Sequence, residues 1–200
     1  MKEVIKLVLG ALQTNTYILK EENHCIIIDP AGSYKRILNA VEGLTVDAIC
    51  LTHGHFDHIQ AVDKLVKELK CDVYISEYDE CMLRDGHKNC SALMGQPFEI
   101  KCSVKHYDSF TKIGDFELNV MEASGHTKGS VLLLIDHIMF CGDVLFKEGI
   151  GRTDLYSGSF SQMKSTLNKI MKIKTDYILY SGHGEDSTLF EEFKNNPYLN

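Results

Sequence analysis

The segment Thr52-His53-Gly54-His55-Phe56-Asp57-His58 places three imidazoles and a carboxylate within six residues, directly after the apolar run Ala48-Ile49-Cys50-Leu51. Such a run reads as a buried strand, so the polar side chains fall in the loop at its carboxyl end. Three crowded imidazoles bury nitrogens that need partners, and they repel one another once protonated. A divalent cation removes both costs, because neutral imidazole nitrogens bind it and the nearby Asp57 offsets its charge. The chemistry open to this cluster is that of a metal ion that binds and activates water.

Three later segments repeat one pattern, a strand, a glycine and then a potential ligand: Ala123-Ser124-Gly125-His126, Met139-Phe140-Cys141-Gly142-Asp143 and Tyr180-Ser181-Gly182-His183-Gly184. Glycine lets the backbone turn sharply at a strand end and lets ligands converge. The full set is five histidines and two aspartates, too many for one tetrahedral ion and suited to two. His53 and His55 are two apart, so in an extended loop they point the same way. His58 follows where a helix begins and turns elsewhere. On this spacing His53, His55 and His126 go to one ion, Asp57, His58 and His183 go to the other, and Asp143 bridges the two.

The elements that must position these residues can be read from periodicity and turn signals. Val4 to Leu9, Thr16 to Leu19 and Cys25 to Ile28 read as strands, the last ending at Asp29-Pro30. Ser33 can cap a helix running to about Val41, and Val46 to Leu51 is the strand that delivers the histidine loop. From Asp57, the stripe Ile59, Val62, Leu65, Val66 and Leu69 follows helical spacing, which predicts one helix with a core-facing side. Asp72 to Ser76 is strand-like. Residues 85–110 carry little periodicity. Phe116 to Ala123 alternates, Val131 to Ile135 and Ile138 to Cys141 form a hairpin about Asp136-His137, a helix uses Phe160, Met163, Leu167, Ile170 and Met171, and Tyr177 to Tyr180 is a final strand. Interleaved strands and helices with antiparallel hairpins predict a mixed α/β domain.

The chain has 200 residues, 44% of them hydrophobic, which predicts a single globular domain with a sizeable core. A net charge of −7 argues against a nucleic-acid surface. No apolar stretch approaches transmembrane length. Seven cysteines without a CxxC pair read as reduced thiols of a cytoplasmic protein. The N-terminal Met1 to Leu9 is too short and too charged for a signal peptide. The expected partner is a small-molecule substrate, with no nucleic acid and no membrane, and the expected state is a monomer or small homo-oligomer.

With these residues in view, the sequence resembles the metallo-β-lactamase superfamily, whose HxHxDH motif stands here as His53-Gly54-His55-Phe56-Asp57-His58. Within it, the chain looks like the hydroxyacylglutathione hydrolase (glyoxalase II) branch in its short single-domain bacterial form. The resemblance covers Gln13-Thr14-Asn15-Thr16-Tyr17, Ile28-Asp29-Pro30-Ala31-Gly32, Ser124-Gly125-His126-Thr127, Gly142-Asp143-Val144-Leu145-Phe146, Gly151-Arg152-Thr153-Asp154, Ser181-Gly182-His183-Gly184 and Asn196-Pro197. It implies one domain over residues 1–200, an αββα sandwich of two mixed β-sheets flanked by helices, and the division of ligands given above. It also implies two divalent metal ions. Zinc is the first choice, and a nitrogen and oxygen set also accepts iron or manganese. Lys128 and Ser181 stand where the family often has proline, and Gln60-Ala61 where it often has paired glycines; none removes a ligand. Full-length enzymes of that branch carry a further helical domain that helps hold glutathione. This chain ends 17 residues after His183 and is expected to lack that part of the substrate site.

The activity implied is hydrolysis of a thioester such as S-lactoylglutathione or a related acyl-thiol, by attack of a metal-bridging hydroxide that Asp57 orients and whose proton Asp57 carries. A thiol leaving group with a parent pKa of ~8.5 needs little acid help. A mononuclear iron persulfide dioxygenase, using His53, His126 and Asp143, resembles the chain over the same motifs and is the alternative; a lactone or β-lactam hydrolase is a further one. Arg152, Asp154 and Tyr156 are candidate substrate contacts. Arg152 and Asp154 serve equally as a structural ion pair, and Tyr156 as a pocket wall. His24, His87, His106 and His137 read as surface groups, Cys141 as a buried strand thiol, and Asp29 as a turn residue.

Overall fold

The computed structural model describes residues 2–199, which divide into two compact units, one running to Tyr107 and one from Asp108. The first unit is built on a six-stranded mixed sheet. Strands β1 (Glu3–Leu9), β2 (Thr14–Glu21) and β3 (His24–Ile28) form antiparallel hairpins, and β4 (Thr45–Cys50), β5 (Asp72–Ile75) and β6 (Lys105–His106) then add in parallel. The central strands read as near-continuous Ile, Val and Ala because they are buried on both faces. Helices α1 (Tyr34–Ala40) and α3 (Val62–Leu69) bring Ile37, Val62 and Leu65 into one cluster with Ile18, Ile27, Ile49 and Val73 of the sheet.

The single helix expected from Asp57 to Leu69 is two. Helix α2 (Phe56–Ile59) stops after one turn, and α3 starts at Val62. The cause is a bond outside the helix: the Ala61 N–H donates to the carbonyl of Pro30 at 3.0 Å, while the Ala61 carbonyl accepts from Leu65 and opens the next helix. The apolar stripe survives the break, which is why periodicity alone did not show it. The unperiodic 85–110 stretch contains a 3₁₀ turn (Ser91–Met94), strand β6 and the start of the second unit's first strand, and a short helix α4 (Glu80–Leu83) precedes it.

The second unit holds the other mixed six-stranded sheet, β7 (Phe110–Ile113), β8 (Phe116–Glu122), β9 (Val131–Ile135), β10 (Ile138–Gly142), β13 (Ile178–Ser181) and β14 (Ser187–Thr188), with β10 and β13 parallel and the other pairs antiparallel. A small hairpin, β11 (Leu145–Phe146) with β12 (Gly149–Ile150), follows β10. Helices α5 (Phe160–Ile170) and α6 (Leu189–Asn195) pack Met163, Leu167, Ile170 and Leu189 on Leu132, Met139, Cys141 and Leu179. The α6 side chain Glu192 is buried. It accepts hydrogen bonds from Glu148 N at 2.7 Å, from Asn196 Nδ2 at 2.9 Å and from the Ser187 hydroxyl. Asn196 in turn donates to the carbonyls of Phe146 and Gly149, so the chain end clamps the β11–β12 hairpin.

Among the described residues no helix is long and apolar enough to cross a membrane. None of the seven cysteines forms a disulfide; Cys25, Cys50, Cys90 and Cys141 are buried and Cys81 is exposed. Burial pushes the thiols of Cys25 and Cys50 up to about 12, and those of Cys71 and Cys102 up to about 11. At pH 8 these groups are almost wholly protonated, and the thiolate is the reactive form. An aromatic disulfide reagent at pH 8 is therefore expected to titrate one thiol per native chain quickly and seven after denaturation. Cys81→Ser removes the fast one; several fast thiols in that variant would contradict the packing described.

Candidate metal centre

In the first unit, the donors sit where β4 ends. Strand β3 runs parallel to β4 with Ile28 beside Cys50, which brings Asp29 alongside Thr52. Asp29 takes a positive φ of 49°, an uncommon conformation that surrounding bonds must hold. They do so densely. Its N–H donates to Cys50 O at 3.1 Å, and its carbonyl accepts from the Thr16 hydroxyl at 2.7 Å. Its Oδ1 accepts from Thr52 N at 2.8 Å, and its Oδ2 accepts from the Thr52 hydroxyl at 2.6 Å and from His58 Nδ1 at 2.8 Å.

These bonds fix the imidazole tautomers. His58 donates its Nδ1–H to Asp29, so the lone pair lies on Nε2. The Thr52 hydroxyl gives its proton to Asp29, so its oxygen accepts, and His53 Nδ1, 3.1 Å away, is the donor. His53 therefore also keeps its lone pair on Nε2. A carboxylate behind an imidazole is the usual orienting partner of a metal-binding histidine. Asp29, His53 and His58 lie close enough to share one ion. Both Asp29 oxygens are already engaged by Thr52 and by the Nδ1 side of His58, so Asp29 is placed to orient the rings, with Nε2 as the candidate donor atom.

The rings of His53 and His55 meet edge-on with centroids 4.9 Å apart, and His53 and His58 lie 4.2 Å apart. Asp57 accepts from the Thr14 hydroxyl at 2.7 Å, and its Oδ2 lies 3.5 Å from His58 Nε2. The loop itself is pinned by Gly54 N donating to Asp79 Oδ2 at 3.0 Å and by Phe56 N donating to Asn89 O at 2.8 Å. The first unit thus brings His53, His55, Asp57 and His58 together.

The second unit brings together His126, Asp143 and His183. Strand β10 ends in a register shift between Phe140 and Gly142 against β13, and Gly142 takes φ 48°. A bulge re-aims the residue that follows, here Asp143. Gly182 N donates to Gly142 O at 2.8 Å, which ties the His183 loop to the Asp143 loop. A single oxygen, Asp143 Oδ2, lies 3.6 Å from His126 Nε2 and 3.5 Å from His183 Nε2. His126 donates its Nδ1–H to the Arg152 carbonyl at 2.7 Å, so its Nε2 too keeps the lone pair. Gly151 makes that approach possible: a Cβ there would fall 1.8 Å from Asp143 O and 3.1 Å from His126 Nδ1.

Arg152 and Asp154 form a two-point ion pair, Nε–Oδ1 2.7 Å and Nη2–Oδ2 2.9 Å, between exposed side chains. The guanidinium holds the Asp154 carboxyl down at about 2. Tyr156 is exposed in the same loop. His24, His87, His106 and His137 are exposed, with His24 on Asp47 and His106 on Glu80. Cys141 is buried.

The model of the metallo-β-lactamase superfamily matches residues 9–183, through both units. The chain belongs to the metallo-β-lactamase superfamily. It is 33% identical over 201 residues to the probable metallo-hydrolase YqgX of Bacillus subtilis, covering 96% of this chain and 95% of that protein. It is 30% identical over 201 residues to the hydroxyacylglutathione hydrolase GloC of Haemophilus influenzae, covering 95% and 94%. Among solved structures, the BLEG-1 B3 metallo-β-lactamase superposes with a TM-score of 0.94 at 35% identity over 98% of this chain and 99% of that one. TTHA1623 in a di-iron-bound form gives 0.88 at 28% identity over 98% and 100%. The fold is accordingly that of the superfamily, two mixed β-sheets flanked by helices.

The superfamily motif made the donors visible in the sequence, but not the groups that orient them. Asp29 is a turn residue, as its φ shows, and its carboxylate stands directly behind His58 and, through the Thr52 hydroxyl, behind His53. Its signal was a charged residue placed directly after the fully apolar strand Cys25 to Ile28, where burial was to be expected. Thr14 stood in a segment of the resemblance with its role unread, and Asp79 and the Asn89 carbonyl gave no signal, since each reaches the motif from far along the chain. Asp29→Ala removes the acceptor of three hydrogen bonds and frees His58 to rotate. Competition with a chromogenic chelator is expected to show metal affinity weakened by about 10- to 100-fold, with the far-ultraviolet dichroism retained. Unchanged affinity would show that Asp29 does not orient the donors.

Proposed function

We propose that this member of the superfamily is a dinuclear metal-dependent hydrolase of thioesters, with S-lactoylglutathione or a related acyl-thiol as substrate. His53, His55 and His126 are assigned to one ion, Asp57, His58 and His183 to the other, and Asp143 to both. The observation that carries the reading is the fixed tautomer of His53, His58 and His126, each anchored at Nδ1 and presenting Nε2. The placement of Asp143 Oδ2 near two Nε2 atoms supports its bridging role. Nitrogen and oxygen donors with no cysteine among them suit zinc, iron or manganese alike, and we take zinc as the first candidate.

Divalent ions in such a set supply a water whose pKa falls towards about 7 and polarise the substrate carbonyl. The residues of the chain do the rest. Asp57, fixed by the Thr14 hydroxyl, accepts a proton from the attacking water at its carboxylate and returns it to the departing sulfur. The water oxygen forms a bond to the acyl carbon, the carbon–sulfur bond breaks, and the products are a carboxylic acid and a thiol. A thiolate of pKa ~8.5 leaves without a strong general acid, in keeping with a site whose ionisable groups are otherwise assigned as ligands or their supports. The similarity to GloC supports the thioester over other acyl compounds.

A second reading, hydrolysis of β-lactams, is favoured by the similarity to BLEG-1. Its leaving group is an amine nitrogen, which needs a proton in the transition state, and that demand falls on Asp57 as well.

Protein loaded separately with zinc, iron and manganese is expected to release thiol from S-lactoylglutathione with at least one metal, and to act slowly on a chromogenic cephalosporin. Asp57→Asn keeps the shape of the carboxylate and removes its basicity and its charge as a ligand, so kcat measured at saturating metal is expected to fall by about 10²- to 10⁴-fold. Fast lactam opening without thiol release would reverse the order of the two readings.

A further inference from the structure

Beside Asp57, the first unit contains a cavity of about 290 Å³, at the lower end of the size range of small-molecule sites. Leu12, Phe56, Met94 and Phe98 give it apolar walls, and Gln60 and Gln96 give it neutral polar ones. Asp57 is the one charged side chain that lines it, and no lysine, arginine or histidine does so among the described residues. Leu12 and Met94 are 45% and 52% exposed, apolar surface that a ligand would cover.

The wall is built in advance. The Ser91 hydroxyl donates to Gly86 O and accepts from Phe98 N at 3.0 Å. The Asn89 side chain accepts from Ser91 N and donates to Phe98 O. Beyond Phe98, the segment is held by Arg84 on the carbonyls of Ile100 and Cys102, and by the Asp63 carboxylate on the N–H groups of Lys101 and Cys102. Finally, the Asn89 carbonyl takes the N–H of Phe56, the residue beside Asp57. A wall fixed in this way does not need to order itself when a ligand arrives.

We propose that this cavity is the subsite for the acyl group of the substrate, and that it selects an uncharged aliphatic acyl chain longer than lactoyl over an anionic one. The proposal rests on the thioester reading and sharpens it. A scissile carbonyl attacked beside Asp57 has its acyl chain within reach of the cavity. An aliphatic chain buries against Leu12, Phe56, Met94 and Phe98, and the glutamine amides tolerate a hydroxyl or carbonyl. A carboxylate at the end of the chain would lie against apolar walls and neutral amides, with no cationic side chain among the lining residues to offset its desolvation.

The test combines turnover with binding by the metal-loaded full chain. In a series of N-acetylcysteamine thioesters, kcat/KM is expected to rise about three- to fourfold per methylene from acetyl to hexanoyl, with the anionic succinyl ester far below the neutral pentanoyl ester of similar length. Met94→Ala lowers the ratio of hexanoyl to acetyl, and Gln96→Lys raises the ratio of succinyl to pentanoyl. Independently of turnover, hexanamide is expected to shift the amide resonances of Met94, Gln96 and Phe98 in the nitrogen-15 spectrum, and succinamate is expected not to. Hydrolysis with a flat series and no shifts overturns the subsite and leaves the thioester reading intact. Shifts from hexanamide without hydrolysis of any thioester support the subsite's selectivity and overturn the thioester reading. Neither hydrolysis nor shifts overturns both.

Discussion

The buried Asp29 carboxylate, with three donors on its two oxygens, is the interaction on which the first half of the centre depends. It exists because β3 and β4 are parallel neighbours whose carboxyl ends lie side by side. That topology sets a carboxylate and the Thr52 loop at one sheet edge, and the positive φ of Asp29 turns the carboxylate under the loop. A charge taken out of water is costly unless it is fully hydrogen-bonded. Here the compensation and the function coincide, since the same bonds that stabilise the anion decide which nitrogen of His53 and His58 carries a proton. An amide in its place could accept on one side only. Its NH₂ would face two donors, and the ring order that gives two Nε2 lone pairs would be lost.

The second unit reaches the same end with main-chain groups. His126 is oriented by a backbone carbonyl, that of Arg152, and the close approach this needs is allowed by Gly151. Asp143 is aimed by a bulge and tied to the His183 loop through Gly182 and Gly142. The hairpin that carries the chain from Asp143 to Gly151 is clamped from α6 by Glu192 and Asn196. Position rather than side-chain charge sets the tautomer here. Changes in the shape of the 143–152 loop therefore bear on His126 directly, whereas in the first unit a side chain, that of Asp29, holds His58.

The donors were legible in the sequence because their types are costly anywhere else, and because each stands just past an apolar strand, where the loop address can be read locally. The sheets were legible for the same reason: Cys25 to Ile28, Val131 to Ile135 and Ile138 to Cys141 have little alternative to burial. What escaped was set by distant groups. The break between α2 and α3 comes from the carbonyl of Pro30, which no local pattern at Gln60-Ala61 announces. Helix α6 reads as a short charged segment until Glu192 is seen to be buried among donors from Glu148, Ser187 and Asn196. The paired Arg152 and Asp154, legible as two equal alternatives, do form an ion pair, and an exposed pair of this kind adds little to stability.

The segment from 85 to 104 was the least legible part, and the reason is physical. Its apolar anchors, Ile100 in the core with Phe98, Cys102 and Val104 packed against it, follow no regular period. Asn89 and Ser91 fold its first half through bonds to its own backbone, and Arg84 and Asp63 hold its second half through carbonyls and N–H groups. With the backbone held by these polar groups, exposed side chains such as Met94 and Gln96 can line a cavity. The donors and the cavity wall consequently answer to different constraints, one set by strand ends and the other by a self-bonded loop. They are joined by the bond from Phe56 N to Asn89 O, so a change at Asn89 disturbs both, whereas the exposed Met94 and Gln96 make no such bond to the histidine loop.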